Sequence, residues 1–188
     1  MADIIEAVRQ NNIDLAHRLL PKCNIDYIDS DGMTPLIYMC YKKCATMANA
    51  IIATGKSKPD HVDNYGYTAL MWALYNDMPD VALSIISTRK SKPDHLNEYN
   101  ETMLVYACRL GYSDVALALI ATNKANPYHP NEYGNTALIF ACDNNMIDVV
   151  RALLATGKSN HTHVNKFGLT ALDIARQKKL YDIIQMIE

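Results

Sequence analysis

Cysteine is scarce and follows no framework: five thiols, Cys23, Cys40, Cys44, Cys108 and Cys142, stand at irregular spacings. An odd, unpatterned set argues against disulfide stapling and suits a reducing compartment in which thiols are buried. Long hydrophobic runs are also missing. None exceeds a few residues, far short of the roughly 20 needed to cross a bilayer, so no membrane span is expected. Neither sign of charge prevails, because 18 Lys and Arg face 20 Asp and Glu for a net charge of −2. That balance supplies no global attraction to a nucleic acid backbone or an anionic membrane, and nucleic acid is excluded as the principal partner. A basic, apolar leader is lacking too: Asp3, Ile4, Ile5 and Glu6 stand where a secretory signal carries lysine or arginine before an apolar run. The expectation is an intracellular, cytoplasmic protein, residing in host cytoplasm if the chain is viral or comes from an intracellular bacterium. What remains is the composition of an ordinary globular chain, 49% apolar and 20% charged.

What the chain does have is a period. Thr34, Thr68, Thr102, Thr136 and Thr170 recur every 34 residues, each followed two positions later by Leu36, Leu70, Leu104, Leu138 or Leu172. Two residues before each threonine stands Gly32, Gly66, Asn100, Gly134 or Gly168, residue types that tolerate positive φ in a tight turn. Five residues before it stands Asp29, Asp63, Asn97, Asn131 or Asn165, whose short side chain can accept backbone N–H groups inside the turn.

After the turn, apolar residues at helical spacing, such as Leu70, Ala73 and Leu74, predict a short amphipathic helix. A second helix is predicted near Asp80, Asp114, Asp148 and Asp182, each placed to cap a helix N-terminus or to favour its macrodipole. Gly55 and Gly157 suit a left-handed cap at its far end, with Lys56, Lys90, Lys124 and Lys158 beside the negative helix terminus. Pro59, Pro93 and Pro127 then stop the helix and lead into the next turn.

A turn, two antiparallel helices and the pattern Gly-x-Thr-x-Leu-x-x-Ala resemble the ankyrin repeat. The motif is most legible in Gly66-Tyr67-Thr68-Ala69-Leu70-Met71-Trp72-Ala73 and Gly134-Asn135-Thr136-Ala137-Leu138-Ile139-Phe140-Ala141. A tetratricopeptide array shares the 34-residue period but lacks this turn signature. The resemblance covers essentially the whole chain and implies an all-α ankyrin-repeat solenoid of about six helix-turn-helix units joined by β-hairpin-like turns. It reads as a single domain over 1–188: a capping helix pair over 1–29, full repeats over 30–63, 64–97, 98–131 and 132–165, and a capping repeat over 166–188. The family's histidine after the Thr-x-Leu leucine is replaced by Ile37, Met71, Val105, Ile139 and Asp173.

Ala50 to Ser57 and Ala152 to Ser159 each end in Thr-Gly-Lys-Ser and match a relaxed phosphate loop in which alanine replaces the first glycine. A phosphate loop follows a strand and opens a helix, whereas these segments are placed to end one. They support only the alternative reading, a nucleotide-binding enzyme. His61, His95, His129 and His163 form another 34-residue series. Units stacked about 10 Å apart cannot easily bring consecutive imidazoles onto one zinc, so these are read as partly exposed residues at the hairpin bases and no metal site is expected. Cys40, Cys108 and Cys142 share one position of the first helices and are read as packing. No nucleophile pairs with a histidine and an orienting group, so no enzyme and no cofactor are expected. Asn100-Glu101-Thr102 and Asn160-His161-Thr162 match the glycosylation triplet, and without a secretory signal should stay unmodified.

The resemblance implies that a protein or peptide docks on the concave face, on turn tips and first helices. The family's variable positions fall on Tyr65, Tyr67, Tyr99, Glu101, Tyr133, Asn135, Phe167 and Leu169 in the turns. On the first helices they fall on Tyr41, Lys42, Tyr75, Asn76, Arg109, Leu110, Asp143 and Asn144. Tyrosine and arginine are enriched at interface hot spots because they combine contact area with directed hydrogen bonds. The series Tyr65, Tyr99, Tyr133 and Phe167 can equally be a structural ladder that stiffens the hairpins. Tyr41, Tyr75, Arg109 and Asp143 change chemistry in one register, which packing does not require. Tyr38, Trp72, Tyr106, Phe140 and Ile174 are expected between helices, in the core. The sequence thus predicts a monomeric, non-catalytic protein-interaction module, with no effector segment after the last helix.

Overall fold

The computed structural model describes residues 2–10, 12–25 and 27–188; Met1, Asn11 and Asp26, inside the predicted 1–29 helix pair, lie outside the described residues. Among the described residues twelve α-helices form and no strand. They are α1 (Ala2–Arg9), α2 (Ile13–Leu19), α3 (Pro35–Tyr41), α4 (Ala45–Ala53), α5 (Ala69–Tyr75) and α6 (Pro79–Ser87), followed by α7 (Met103–Leu110), α8 (Ser113–Ala121), α9 (Ala137–Asp143), α10 (Ile147–Ala155), α11 (Ala171–Gln177) and α12 (Tyr181–Ile187). A short 3-10 turn, Leu20–Lys22, follows α2.

Each first helix starts where the repeat threonine caps it. The hydroxyls of Thr34, Thr68, Thr102, Thr136 and Thr170 accept the backbone N–H three residues on, at Ile37, Met71, Val105, Ile139 and Asp173. Four of these threonines are nearly fully buried, so the cap satisfies a donor that water cannot reach. The second helices start differently. Their N-cap residues Met78, Tyr112, Met146 and Leu180 make no side-chain cap. Asp80, Asp114, Asp148 and Asp182 lie two positions later, in the first turn. The capping half of that expectation is therefore corrected, and their role is to face the positive end of the helix dipole.

The turns hold as the Asp and Asn series predicts. Asp63 Oδ1 accepts the N–H groups of Tyr65 and Tyr67 at 3.0 and 2.8 Å, and Asn97, Asn131 and Asn165 repeat the same two bonds. Asn100 adopts φ +56, in the left-handed region that its glycine counterparts occupy. At the far ends of the second helices, Gly55 and Gly157 are left-handed, and Arg89 and Asn123 take the same conformation.

The chain divides into two compact units, Met1–Lys92 and Pro93–Glu188, each containing three helix pairs. In the first unit, α3 packs beside α5 and α4 beside α6, while α2 lies against α4. Leu36, Ile37, Met39, Met47, Ile51, Leu70, Leu74 and Ile85 form its interior. In the second unit, α7, α9 and α11 lie side by side, as do α8, α10 and α12, around Met103, Leu104, Val105, Leu119, Leu138, Val149 and Leu153. Each fully buried Leu or Ile contributes about 1.5–3 kcal/mol relative to exposure, and no pair could bury its faces alone.

Histidines also tie repeats together. His61 Nε2 donates to the Gly32 carbonyl at 2.8 Å in the first unit; His129 and His163 donate to the carbonyls of Asn100 and Gly134 at 2.9 and 2.7 Å in the second. A carbonyl can only accept, so Nε2 carries the proton in each case. These histidines are partly exposed, and each fastens one turn to the turn before it. Among the described residues no helix is long and apolar enough to cross a membrane, and no group of three or more His, Cys, Asp or Glu could hold a metal ion.

Candidate binding site

The first unit carries a pocket of about 640 Å³ lined by Asp31, Met33, Tyr38, Tyr41, Lys42, Tyr65, Tyr67 and Trp72. Two turns and the adjoining helices α3 and α5 build it. Its organising group is Asp63. One carboxylate oxygen accepts the two turn N–H groups, and the other accepts the Trp72 indole N–H at 2.8 Å. The carboxylate is buried, so these charge-assisted bonds act with little competition from water and hold turn and indole in one arrangement.

Around the indole the aromatic rings touch in series. Trp72 lies 5.0 Å from Tyr41, edge-on, and 4.8 Å from Tyr67; Tyr67 meets Tyr75 at 5.5 Å, again edge-on. Tyr38 is 6.4 Å from Tyr41. The Lys42 ammonium stands over the Tyr41 ring at 4.6 Å and within 5.8 Å of the Tyr38 ring, inside cation–π range. Tyr65 is 62% exposed. The charge of Asp31 beside it, together with a hydrogen bond to that carboxylate, raises its phenol above the ordinary tyrosine range, since a phenolate there would face a like charge.

The predicted residues distribute unevenly. Tyr41, Lys42, Tyr65 and Tyr67 converge on the pocket, with Tyr75 at its margin. Asn76 is occupied in fastening helices together: its amide donates to the carbonyls of Cys40 and Tyr41 at the end of α3. Asn144 does the same for Cys108 and Arg109 at the end of α7.

In the second unit, Glu101 is only 2% exposed. Its carboxylate accepts both Asn97 and Asn131 amides and a two-pronged Arg109 contact at 3.1 and 3.2 Å. Arg109 also lies over Tyr106 at 4.8 Å. Asn135 accepts from Asn165, and Asp143 pairs with Lys178 at 2.6 Å. Tyr99, Leu110, Tyr133 and Phe167 are exposed. Tyr133 and Phe167 stack 6.5 Å apart at 18°, and Leu169 is partly exposed at the end of its turn.

One expectation about the aromatic series needs correction. Tyr38 and Tyr106 are buried as predicted, but Trp72, Phe140 and Ile174 are only partly buried. Trp72 sits at the pocket wall because the Asp63 carboxylate holds its indole N–H there. Trp72, Tyr38, Asp31 and Met33 were not expected as lining residues; the nine-residue separation of Asp63 and Trp72 was the one available signal. Nor was a role expected for Thr54, Thr88, Thr122 and Thr156, another 34-residue series. Each hydroxyl donates to the carbonyl three residues back at 2.6–2.7 Å and accepts the N–H two residues on, at Lys56, Lys90, Lys124 and Lys158. The Gly-Lys-Ser segments are thus helix endings clasped by threonine. Ser159 likewise donates to the Leu153 carbonyl.

A family model described as ankyrin repeats (3 copies) matches residues 4–95 and 104–187. No curated protein matches the chain. Among solved structures, a chain in the complex of the Bd0816 predatory endopeptidase from Bdellovibrio bacteriovorus with immunity protein Bd3460 is 25% identical, with a TM-score of 0.71, covering 100% of this chain and 97% of that one. An ankyrin repeat domain (ABAYE2397) from Acinetobacter baumannii AYE is 24% identical at a TM-score of 0.77, and the ankyrin repeat protein EF0377 is 22% identical at 0.74; each comparison covers 99% of this chain and 96% of the other. The five threonine-capped turns, the paired helices and these likenesses agree: the chain belongs to the ankyrin-repeat family.

Proposed function

We propose that this chain is a non-catalytic protein-interaction module that captures a protein or peptide on the face formed by its turns and first helices. Ankyrin repeats are in general scaffolds for protein–protein contact, and one similar chain comes from a complex between an endopeptidase and an immunity protein. The observation that carries the reading is the pocket of the first unit, where Tyr41, Tyr65 and Tyr67 line the opening with rings that end in hydroxyls, beside the Trp72 indole. Such side chains combine large contact area with directed hydrogen bonds at low entropic cost. Within the second unit, Tyr99 and Tyr133 are exposed and offer the same kind of side chain. Glu101, Asn76 and Asn144 serve the fold, and Arg109 is held by Glu101. The clasped Gly-Lys-Ser segments favour a scaffold over a nucleotide enzyme. The partner meets a monomer in this reading.

The test is affinity capture from the native cellular environment with the wild type and a Tyr41→Ala/Tyr65→Ala double variant. The wild type should retain a specific protein that the variant releases, with circular dichroism and thermal unfolding nearly unchanged. Identical capture by both proteins would refute the assignment.

A further inference from the structure

We infer that the pocket of the first unit receives an arginine side chain of the partner, and that Lys42 is the resident cation which that guanidinium displaces. The inference deepens the protein-interaction reading and rests on it. Five aromatic rings, Tyr38, Tyr41, Tyr65, Tyr67 and Trp72, line a single opening of about 640 Å³, so π faces are the dominant chemistry offered. A π face attracts cations. One cation is already there: the Lys42 ammonium over the Tyr41 ring.

Charge points the same way. The Trp72 indole donates its N–H to Asp63, and a carboxylate behind that nitrogen pushes electron density into the ring and strengthens its face toward a cation. Asp31 adds an exposed carboxylate to the lining, engaged by the Tyr65 hydroxyl and positioned by the turn whose carbonyl accepts the Asn64 N–H. The lining charges are Asp31 and the displaceable Lys42, and the buried Asp63 carboxylate behind Trp72 adds a negative charge that no lining cation pairs with, so a guanidinium that takes the place of Lys42 gains on balance. Arginine fits better than lysine because its planar guanidinium stacks on a ring while its in-plane N–H groups remain free to reach a carboxylate. An acidic or neutral side chain would instead bring a second negative charge to Asp31 or leave that charge uncompensated.

Trp72 is the chain's one tryptophan, so its fluorescence reports the pocket without a label. Titration with N-acetyl-arginine amide should give a saturable change, and N-acetyl-citrulline amide, which has the same shape without the charge, should give none. Asp31→Asn should weaken arginine binding about fivefold, and Lys42→Met, by removing the competitor, should tighten it about threefold. Equal response to citrulline, no saturation with arginine, tighter binding of N-acetyl-trimethyllysine amide, or weaker binding by Lys42→Met would each overturn the inference. If arginine fails here while Tyr41→Ala/Tyr65→Ala still loses the captured protein, the interaction module stands and only the guanidinium reading falls.

Discussion

Asp173 occupies the place where the family usually carries histidine, and here it is a helix-capping group. Its carboxylate accepts both the N–H and the hydroxyl of Thr170, at 2.9 and 2.6 Å, while Thr170 accepts the Asp173 N–H. The reciprocal cap starts α11. Those hydrogen bonds favour the ionised form, so the folded-state pKa lies below its ordinary value of 3.8. A group depressed by folding stabilises the fold above the unfolded value and loses that contribution as pH falls through the folded one. Asp173→Asn should therefore destabilise at pH 7, with the gap to wild type closing only as the pH falls below the ordinary carboxylate value of 3.8. Urea unfolding at several pH values measures it, and a gap independent of pH would contradict the mechanism. At this scale the sequence was readable where one side chain acts on its own backbone, as with Thr68 or Asp63. It was not readable at Trp72, whose placement depends on a carboxylate from the preceding turn.

At the scale of the element, the turns show which glycines the backbone needs and which the neighbours also demand. Gly134 has φ +76, and a Cβ there would lie 3.1 Å from Asn165 Cα and Lys166 N in the next turn. Gly168 has nearly the same φ, +77, with open space around it. Gly168→Ala should cost about 1–2 kcal/mol, the ordinary penalty of the left-handed region, and Gly134→Ala clearly more, because the turns joined by the Lys166–Tyr133 backbone bond must part. Chemical denaturation of the two variants compares them directly; equal losses would show that the neighbouring turn yields freely. The Thr-Gly-Lys-Ser segments teach the same lesson at a helix end. Their letters resemble an anion loop, but the threonine bonds both to its own helix and to the lysine N–H, turning that amide inward.

On the scale of the whole molecule, each compact unit holds three helix pairs, which is about the smallest number of repeats that buries a continuous core. Fragments 1–92 and 93–188 should each show helical circular dichroism and a cooperative thermal transition, because nearest-neighbour packing supplies most repeat stability. A fragment lacking any transition would show that three pairs are insufficient here.

The amino-acid order alone determined the period, the threonine caps, the left-handed turn positions and the pairing of helices, since each depends on residues only a few positions apart. Tertiary structure decided which polar groups vanish inward, as Glu101 does between Arg109, Asn97 and Asn131, and which aromatic rings converge on one opening. Those outcomes hang on side chains brought together from residues some 30 positions apart, and the geometry of that meeting is set by stacking between repeats rather than by any local propensity.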